Sequence, residues 1–62
     1  FRRSLYFVKD IKAGEIITKE HIKSIRPGYG LAPKYLDNYI GRKVKSDVSS
    51  GTATSLELIE RN

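Results

Sequence analysis

Short apolar runs separated by turn residues predict short strands at the start of the chain. Residues 4–8, Ser-Leu-Tyr-Phe-Val, are rich in aromatic and β-branched side chains and predict a first strand. A turn is predicted over 9–14, where Gly14 is free to adopt a positive φ. The apolar pair that follows predicts a second short strand over 15–17.

The next segment predicts a helical turn and then a loop. Thr18 is typical of a helix N-cap and predicts a short helix over 19–22. Residues 24–26 are expected to be extended, because a residue that precedes proline is disfavoured in the helical region. The run Pro-Gly-Tyr-Gly over 27–30 predicts a loop.

The second half of the chain also predicts short elements that are separated by turn residues. A helix is predicted over 33–38, with proline at its first position and Gly41 at its end. A strand is predicted over 42–48, a turn over 49–51 and a last short helix over 56–59. Segments this short favour a mostly β domain with single-turn helices over a sheet with crossover helices.

The chain partly matches itself when it is shifted by 37 residues. Two copies of one small unit suggest a pseudo-twofold arrangement in which neither half buries its apolar side alone. The alternative is chance combined with common turn residues. The identical pairs are Asp10 and Asp47, Gly14 and Gly51, Glu20 and Glu57, and Ile22 and Ile59, and the conservative pairs are Ile11 and Val48, and Thr18 and Ser55.

Composition restricts the possible classes of protein. A chain of 62 residues is one domain with a small core. Without cysteine it forms no disulfide and no thiolate metal site, and it fits a cytoplasmic location. No apolar run is long enough to span a membrane. The absence of methionine, even at position 1, leads us to expect a piece of a longer chain.

Few residues of the chain offer catalytic chemistry. His21 is the only histidine, and a lone histidine without a second ligand is not a metal site. Glu57 and Glu60 could pair as acid and base, although such residues at a helix end usually face solvent. Gly28-x-Gly30 lacks the strand and helix context of a phosphate loop. We therefore predict no catalytic and no metal-binding residue in this chain.

The stretch from Arg26 to Gly30 is more specific. A guanidinium offers five donors in a fixed fork, which suits a carboxylate or the carbonyl and hydroxyls of a sugar. Gly28 and Gly30 allow a tight turn or close approach to a partner, and Tyr29 adds an aromatic face with a polar tip. The alternative is an arginine that caps backbone carbonyls beside a turn, and the residues alone favour neither interpretation.

Three runs in the chain match a known family. They are Phe-Arg-Arg-Ser-Leu-Tyr over 1–6, Lys-Asp-Ile-Lys-Ala-Gly-Glu over 9–15, and Arg-Pro-Gly-x-Gly-Leu-x-Pro-Lys-Tyr over 26–35. Together with Ile-Gly-Arg-Lys over 40–43 and Gly51-Thr52, they resemble the C-terminal antifreeze-like (SAF) domain of bacterial sialic acid synthases. The resemblance covers essentially all of residues 1–62 and implies a β-clip fold with short helical turns and internal pseudo-twofold symmetry.

The resemblance also implies a function for the parent protein. Such synthases condense phosphoenolpyruvate with N-acetylmannosamine or a related acetamido sugar. Their divalent metal, manganese or magnesium, and their acid and base groups belong to an N-terminal (β/α)₈ barrel, so we expect no cofactor in this domain. In the family's dimer, the antifreeze-like domain covers the barrel of the partner subunit.

By the motif match, Arg26 is the arginine that bonds the N-acetyl group of the sugar. Gly28, Tyr29 and Gly30 would then form the capping loop over the partner's active site. The isolated domain is expected to be inactive. The sequence does not distinguish among sialic, legionaminic and pseudaminic acid synthases.

Three other functions remain as alternatives. The domain also resembles type III fish antifreeze proteins, but charges in the first turn and predicted helix oppose a flat ice-binding face. SAF domains occur in sugar-acid dehydratases and in assembly chaperones of flagella or pili, so a carbohydrate-binding or assembly module is a second alternative. The net charge of +5 permits nucleic-acid binding, but basic residues alternate with acidic ones, which indicates a solvated surface.

Overall fold

The computed structural model describes residues 3–60, so Phe1 and Arg2 of the Phe-Arg-Arg-Ser motif lie outside the described residues. Strand β1, Ser4–Phe7, pairs in antiparallel register with strand β2, Ile22–Ile25. Ser4 lies opposite Ile25 and Phe7 opposite Ile22. The first predicted strand is confirmed, and it ends one residue early, at Phe7.

The predicted helix over 19–22 is wrong. Residues 18–21 form a single turn, closed by a hydrogen bond of 3.0 Å from the His21 N–H to the Thr18 carbonyl. The Thr18 hydroxyl accepts from the Glu20 N–H at 3.3 Å, as a cap would. However, buried Ile22 pairs with Phe7 and begins β2. Tertiary pairing therefore overrides the local capping signal.

The predicted strands over 15–17 and 42–48 are also wrong as continuous strands. Each segment meets a neighbour at single positions, because the chain turns again before a ladder can extend. The isolated bridges join Tyr6 to Ala53, Ile11 to Val48, Ile16 to Lys43, and Val44 to Ile59.

The helical turns lie close to their predicted places. A 3₁₀ turn, Pro33–Tyr35, leads into helix α1, Leu36–Tyr39, which ends ahead of Gly41 at φ 90°. The last predicted helix is a 3₁₀ turn, Leu56–Leu58. Ile59 leaves that turn to pair with Val44 in an extended conformation, so this element is shorter than predicted.

The core is small and apolar, and it draws on both halves of the chain. Phe7 and Tyr39 pack with ring centroids 5.9 Å apart. The Tyr39 hydroxyl donates to the Ser55 carbonyl at 2.9 Å, and burial raises the pKa of this tyrosine above its ordinary value. The buried apolar residues are Leu5, Tyr6, Phe7, Ile11, Ile17, Ile22, Tyr39, Val44, Val48 and Ile59.

Several contacts of the fold recur at the 37-residue offset. Ile11 and Val48 exchange two backbone hydrogen bonds, of 2.9 and 2.8 Å. The Asp10 carboxylate accepts from the N–H of Ser50 at 2.7 Å. The carboxylate of Asp47, 37 positions later, accepts from the N–H of Ala13 at 2.8 Å. Each aspartate thus holds the turn that follows the other.

The domain is therefore a small structure with a two-stranded antiparallel sheet and one short α-helix. Isolated bridges and tight turns hold the remaining segments around them. Among residues 3–60, no helix has the length and apolar character needed to cross a membrane.

Candidate functional site

The candidate site is the loop over 26–31, which leaves the end of β2. Arg26 follows the last residue of that strand, and its side chain is exposed. The peptide bond between Arg26 and Pro27 is cis. Within residues 3–60 the guanidinium donates no hydrogen bond to a backbone carbonyl, which the capping interpretation would require. The fork of donors is available at the surface.

The backbone beside Arg26 is fixed by the carbonyl of Pro27. That oxygen accepts from the Tyr6 hydroxyl at 2.7 Å and from the Tyr29 N–H at 3.0 Å. The Ser4 hydroxyl lies 3.4 Å from the same oxygen. Because Ser4 and Tyr6 are only 1% and 8% exposed, these contacts attach the loop to buried residues of β1.

The far end of the loop is attached to the same strand. The Gly30 N–H donates to the Ser4 hydroxyl at 2.8 Å, and the Leu31 N–H donates to the Thr54 hydroxyl at 2.9 Å. Thr54 in turn donates to the Leu5 carbonyl at 2.7 Å. A Cβ at Gly30 would overlap the Leu5 carbonyl oxygen and lie 2.9 Å from both the nitrogen and the hydroxyl of Thr54.

The predicted loop residues therefore divide into two groups. Arg26, Gly28 and Tyr29 face solvent, and Tyr29 is 80% exposed. Gly30 is half-buried, and it allows close approach to the domain's own backbone. Sequence reasoning did not identify the buried hydroxyls behind the loop; the match of the Phe-Arg-Arg-Ser motif, which ends at Ser4, was the one available signal.

A cavity of ≈ 440 Å³ lies on another part of the surface. It lies beside α1 and the last 3₁₀ turn, and its lining includes Leu31, Tyr35, Tyr39, Leu56 and Ile59 together with charged side chains. Of the described residues in the candidate loop, only Leu31 reaches it. The cavity and the exposed arginine are therefore separate features.

The remaining chemically active side chains are dispersed. His21 Nδ1 accepts from the Thr18 N–H at 3.0 Å, which is a local structural contact. Glu57 and Glu60 are exposed. In the part of the chain from 3 to 60, no three His, Cys, Asp or Glu side chains gather where they could hold a metal ion. The expectation that the metal belongs to another part of the parent protein stays a prediction.

Comparison with known sequences matches this chain to one domain family and to pseudaminic and legionaminic acid synthases. The model of the SAF domain family matches residues 2–56. Pseudaminic acid synthase of Campylobacter jejuni is 49% identical over 53 residues, which cover 86% of this chain and 16% of that protein. N,N'-diacetyllegionaminic acid synthase of Legionella pneumophila is 37% identical over 59 residues, which cover 95% of this chain and 17% of that protein. The chain thus spans less than a fifth of the length of the curated relatives it matches.

Solved structures agree on the fold. An antifreeze-protein-like domain of human N-acetylneuraminic acid phosphate synthase superposes with a TM-score of 0.84 at 24% identity. The match covers 95% of this chain and 76% of that one. The described residues therefore have the fold of an antifreeze-like domain.

Proposed function

The chain belongs to the SAF domain family, and from this premise we propose that it is the accessory domain of a sialic-acid-type synthase. The parent would condense phosphoenolpyruvate with N-acetylmannosamine or a related acetamido sugar. This domain would cover the active site and present Arg26 to the N-acetyl group. Support comes from relatives named as pseudaminic and legionaminic acid synthases.

The exposed guanidinium of Arg26 on an anchored loop is the observation that carries the proposal. An arginine that served only the fold would be expected to donate hydrogen bonds to nearby carbonyls. Arg26 instead lies at the surface, directly before a residue whose carbonyl is bonded to the buried side of the domain. This arrangement combines a free donor fork with a fixed base, which is what recognition of a small polar group requires.

The chemistry of such a contact is binding and orientation. The guanidinium would donate to the carbonyl oxygen of the acetamido group, and a charge-assisted hydrogen bond is worth about 1.5–3 kcal/mol. The loop would also exclude water from the covered substrate, which strengthens the polar contacts beneath it. Gly28 and exposed Tyr29 would lie at the rim of the cap.

The other parts of the proposal concern protein outside this chain. The covered active site would belong to a (β/α)₈ barrel of the partner subunit in a homodimer. A divalent manganese or magnesium ion would be held there, and the carbon–carbon bond would form there. This domain would supply no catalytic group, and it would work in the cytoplasm. The absence of cysteine fits that location.

We also propose that the domain is a β-clip built from two related halves. The support is the recurrence of contacts at the 37-residue offset. The Gly14 N–H donates to the Val44 carbonyl at 2.9 Å, and the Gly51 N–H donates to the Phe7 carbonyl at 2.7 Å. Gly14 and Gly51 also share positive φ values of 84° and 94°.

Kinetics of the full-length protein with Arg26→Ala test the proposed function. We expect kcat/KM for the acetamido sugar to fall by about ten- to a hundredfold, because one charge-assisted hydrogen bond is lost. The KM for phosphoenolpyruvate should stay unchanged. Arg26→Lys keeps the charge without the fork and should recover only part of the loss.

The control is Lys23→Ala, which removes an exposed positive charge from β2 three residues earlier. It should leave both substrates unaffected. If Arg26→Ala changes neither kcat nor the KM for the sugar, the capping role of Arg26 is wrong. If both variants lower the rate equally, the effect is one of overall charge, and the specific contact is excluded.

A further inference from the structure

Three buried hydroxyls, those of Ser4, Tyr6 and Thr54, hold the loop that carries Arg26; we call them the loop clamp. Tyr6 bonds the Pro27 carbonyl, Ser4 accepts from Gly30, and Thr54 accepts from Leu31. The three residues are 8%, 1% and 3% exposed. Buried hydroxyls are costly unless they are bonded, so their presence calls for a reason.

The clamp is fully bonded. The Ser4 hydroxyl also donates to the Pro27 carbonyl at 3.4 Å, and the Thr54 hydroxyl donates to the Leu5 carbonyl at 2.7 Å. Within residues 3–60, no buried side-chain nitrogen or oxygen lacks a partner. A fully bonded buried network favours one arrangement of the groups attached to it. Here the attached group is the backbone from Pro27 to Leu31.

The 37-residue offset provides a comparison within the chain. The Thr54 N–H donates to the Leu5 carbonyl at 3.1 Å, and 37 positions away the Ile17 N–H donates to the Arg42 carbonyl at 2.8 Å. The same backbone contact therefore forms twice. The residues that correspond to the clamp differ in side chain: Gly41 for Ser4, Lys43 for Tyr6 and Ile17 for Thr54.

This backbone contact thus forms at the second place without any clamp hydroxyl. Ile17 is fully buried there, and Gly41 and Lys43 are exposed. At the first place, the three hydroxyls instead bond the backbone of the loop that carries Arg26. The clamp hydroxyls are therefore not required for this backbone contact, and the bonds that they make are to the loop.

We infer that Ser4, Tyr6 and Thr54 are positioning residues that set the direction of Arg26 toward the acetamido sugar. The inference rests on the proposed function. The clamp does not touch the substrate; it acts by restricting the backbone to which the guanidinium is attached. A displacement of a binding group by a fraction of an ångström is enough to weaken a directed contact.

The test is a double-mutant cycle in the full-length protein with Tyr6→Phe and Arg26→Ala. Tyr6→Phe removes one hydroxyl and leaves the ring in place. We expect it to lower kcat/KM for the acetamido sugar about three- to tenfold, with the KM for phosphoenolpyruvate unchanged. In the double variant, Tyr6→Phe should cost nothing further, because the group that it positions is gone.

Tyr39→Phe is the matched control. It too removes a buried tyrosine hydroxyl that donates to a backbone carbonyl, but the acceptor is Ser55 and not a residue of the loop. A general loss of stability would appear in both tyrosine variants. A positioning effect would appear in the sugar kinetics of Tyr6→Phe alone. Hydrogen–deuterium exchange of the peptide over 26–31 should also rise in Tyr6→Phe and not in Tyr39→Phe.

The outcomes separate the two proposals. Suppose that Arg26→Ala lowers kcat/KM for the sugar. If Tyr6→Phe then has no effect, or an effect that adds fully to that of Arg26→Ala, the positioning role of the clamp is wrong and the proposed function stands. Equal effects of Tyr6→Phe and Tyr39→Phe on the sugar kinetics would also overturn the clamp. If Arg26→Ala itself changes nothing, the proposed function fails and the positioning role fails with it.

Discussion

At the scale of single residues, Gly30 shows how contacts inside the domain hold the candidate loop in place. Its place in Gly-x-Gly suggests freedom to approach a partner, and the structure instead places it against β1 and Thr54. The absence of a side chain lets the loop lie close enough for its N–H to reach Ser4. The glycine is required by packing within the domain.

Gly30→Ala is therefore expected to destabilise the domain. The added Cβ would overlap the Leu5 carbonyl oxygen and crowd Thr54, so backbone must move. Overpacking of this kind costs about 1–3 kcal/mol in the free energy of unfolding, which urea denaturation measures. Tyr29→Ala, at a loop position that is 80% exposed, is the control and should change stability by less than about 0.5 kcal/mol. Equal stabilities of Gly30→Ala and the parent chain would contradict the packing role.

The sequence singles out the exposed residues of the candidate loop and not the buried residues that hold it. Arg26 stands out because a charged residue precedes a Pro-Gly turn, and this pattern is local. The clamp contacts are not local: Ser4 and Gly30 are 26 positions apart, and Thr54 and Leu31 are 23 apart. Serine and threonine are common surface residues, so nothing in their immediate neighbourhood indicates burial.

At the scale of elements, turns were predictable and strands were less so. Gly14 and Gly51 indicate turns from the sequence alone, because glycine adopts a positive φ more readily than other residues. A strand depends on what lies beside it. The apolar pair Ile16-Ile17 reads as a strand, yet Ile16 is 52% exposed and meets Lys43 in one bridge. The local pattern predicts a helix at Ile22, because it does not contain the pairing of Ile22 with Phe7.

The paired turns lead to a prediction about Asp10 and Asp47. Each carboxylate accepts a backbone N–H from the turn that follows the other. Asp10→Ala and Asp47→Ala should each lower the free energy of unfolding by roughly 0.5–1.5 kcal/mol, because both hydrogen bonds are near the surface. Urea denaturation measures both variants, and Glu20→Ala, which removes an exposed carboxylate, should have little effect. A loss at only one of the two aspartates would show that the turns are not equivalent.

At the scale of the whole molecule, surface charge determines what the fold can bind. Antifreeze-like domains share this architecture, but the fold alone does not decide function. The first turn and the segment after it expose strongly hydrated charges, namely Lys9, Asp10, Glu15, Lys19 and Glu20. Such groups stay hydrated and therefore oppose contact with the regular, uncharged surface of ice.

We therefore expect no thermal hysteresis from this chain. Ice-growth osmometry at millimolar protein should give the same melting and freezing points within error. A non-binding protein of similar size at the same concentration provides the baseline. A clear depression of the freezing point below the melting point would show that the exposed charges do not prevent ice binding, and it would favour an antifreeze role.

The loop clamp takes hydroxyls from both ends of the described chain: Ser4 and Tyr6 from the beginning, and Thr54 from near the end. The loop itself lies between them. During synthesis, Arg26 leaves the ribosome before Thr54 does, so the loop of a nascent chain lacks one of its supports. All three hydroxyls of the clamp are in place only when the segment that carries Thr54 has been made and folded back. A product that stops before Thr54 would therefore carry Arg26 on a loop that lacks part of its clamp.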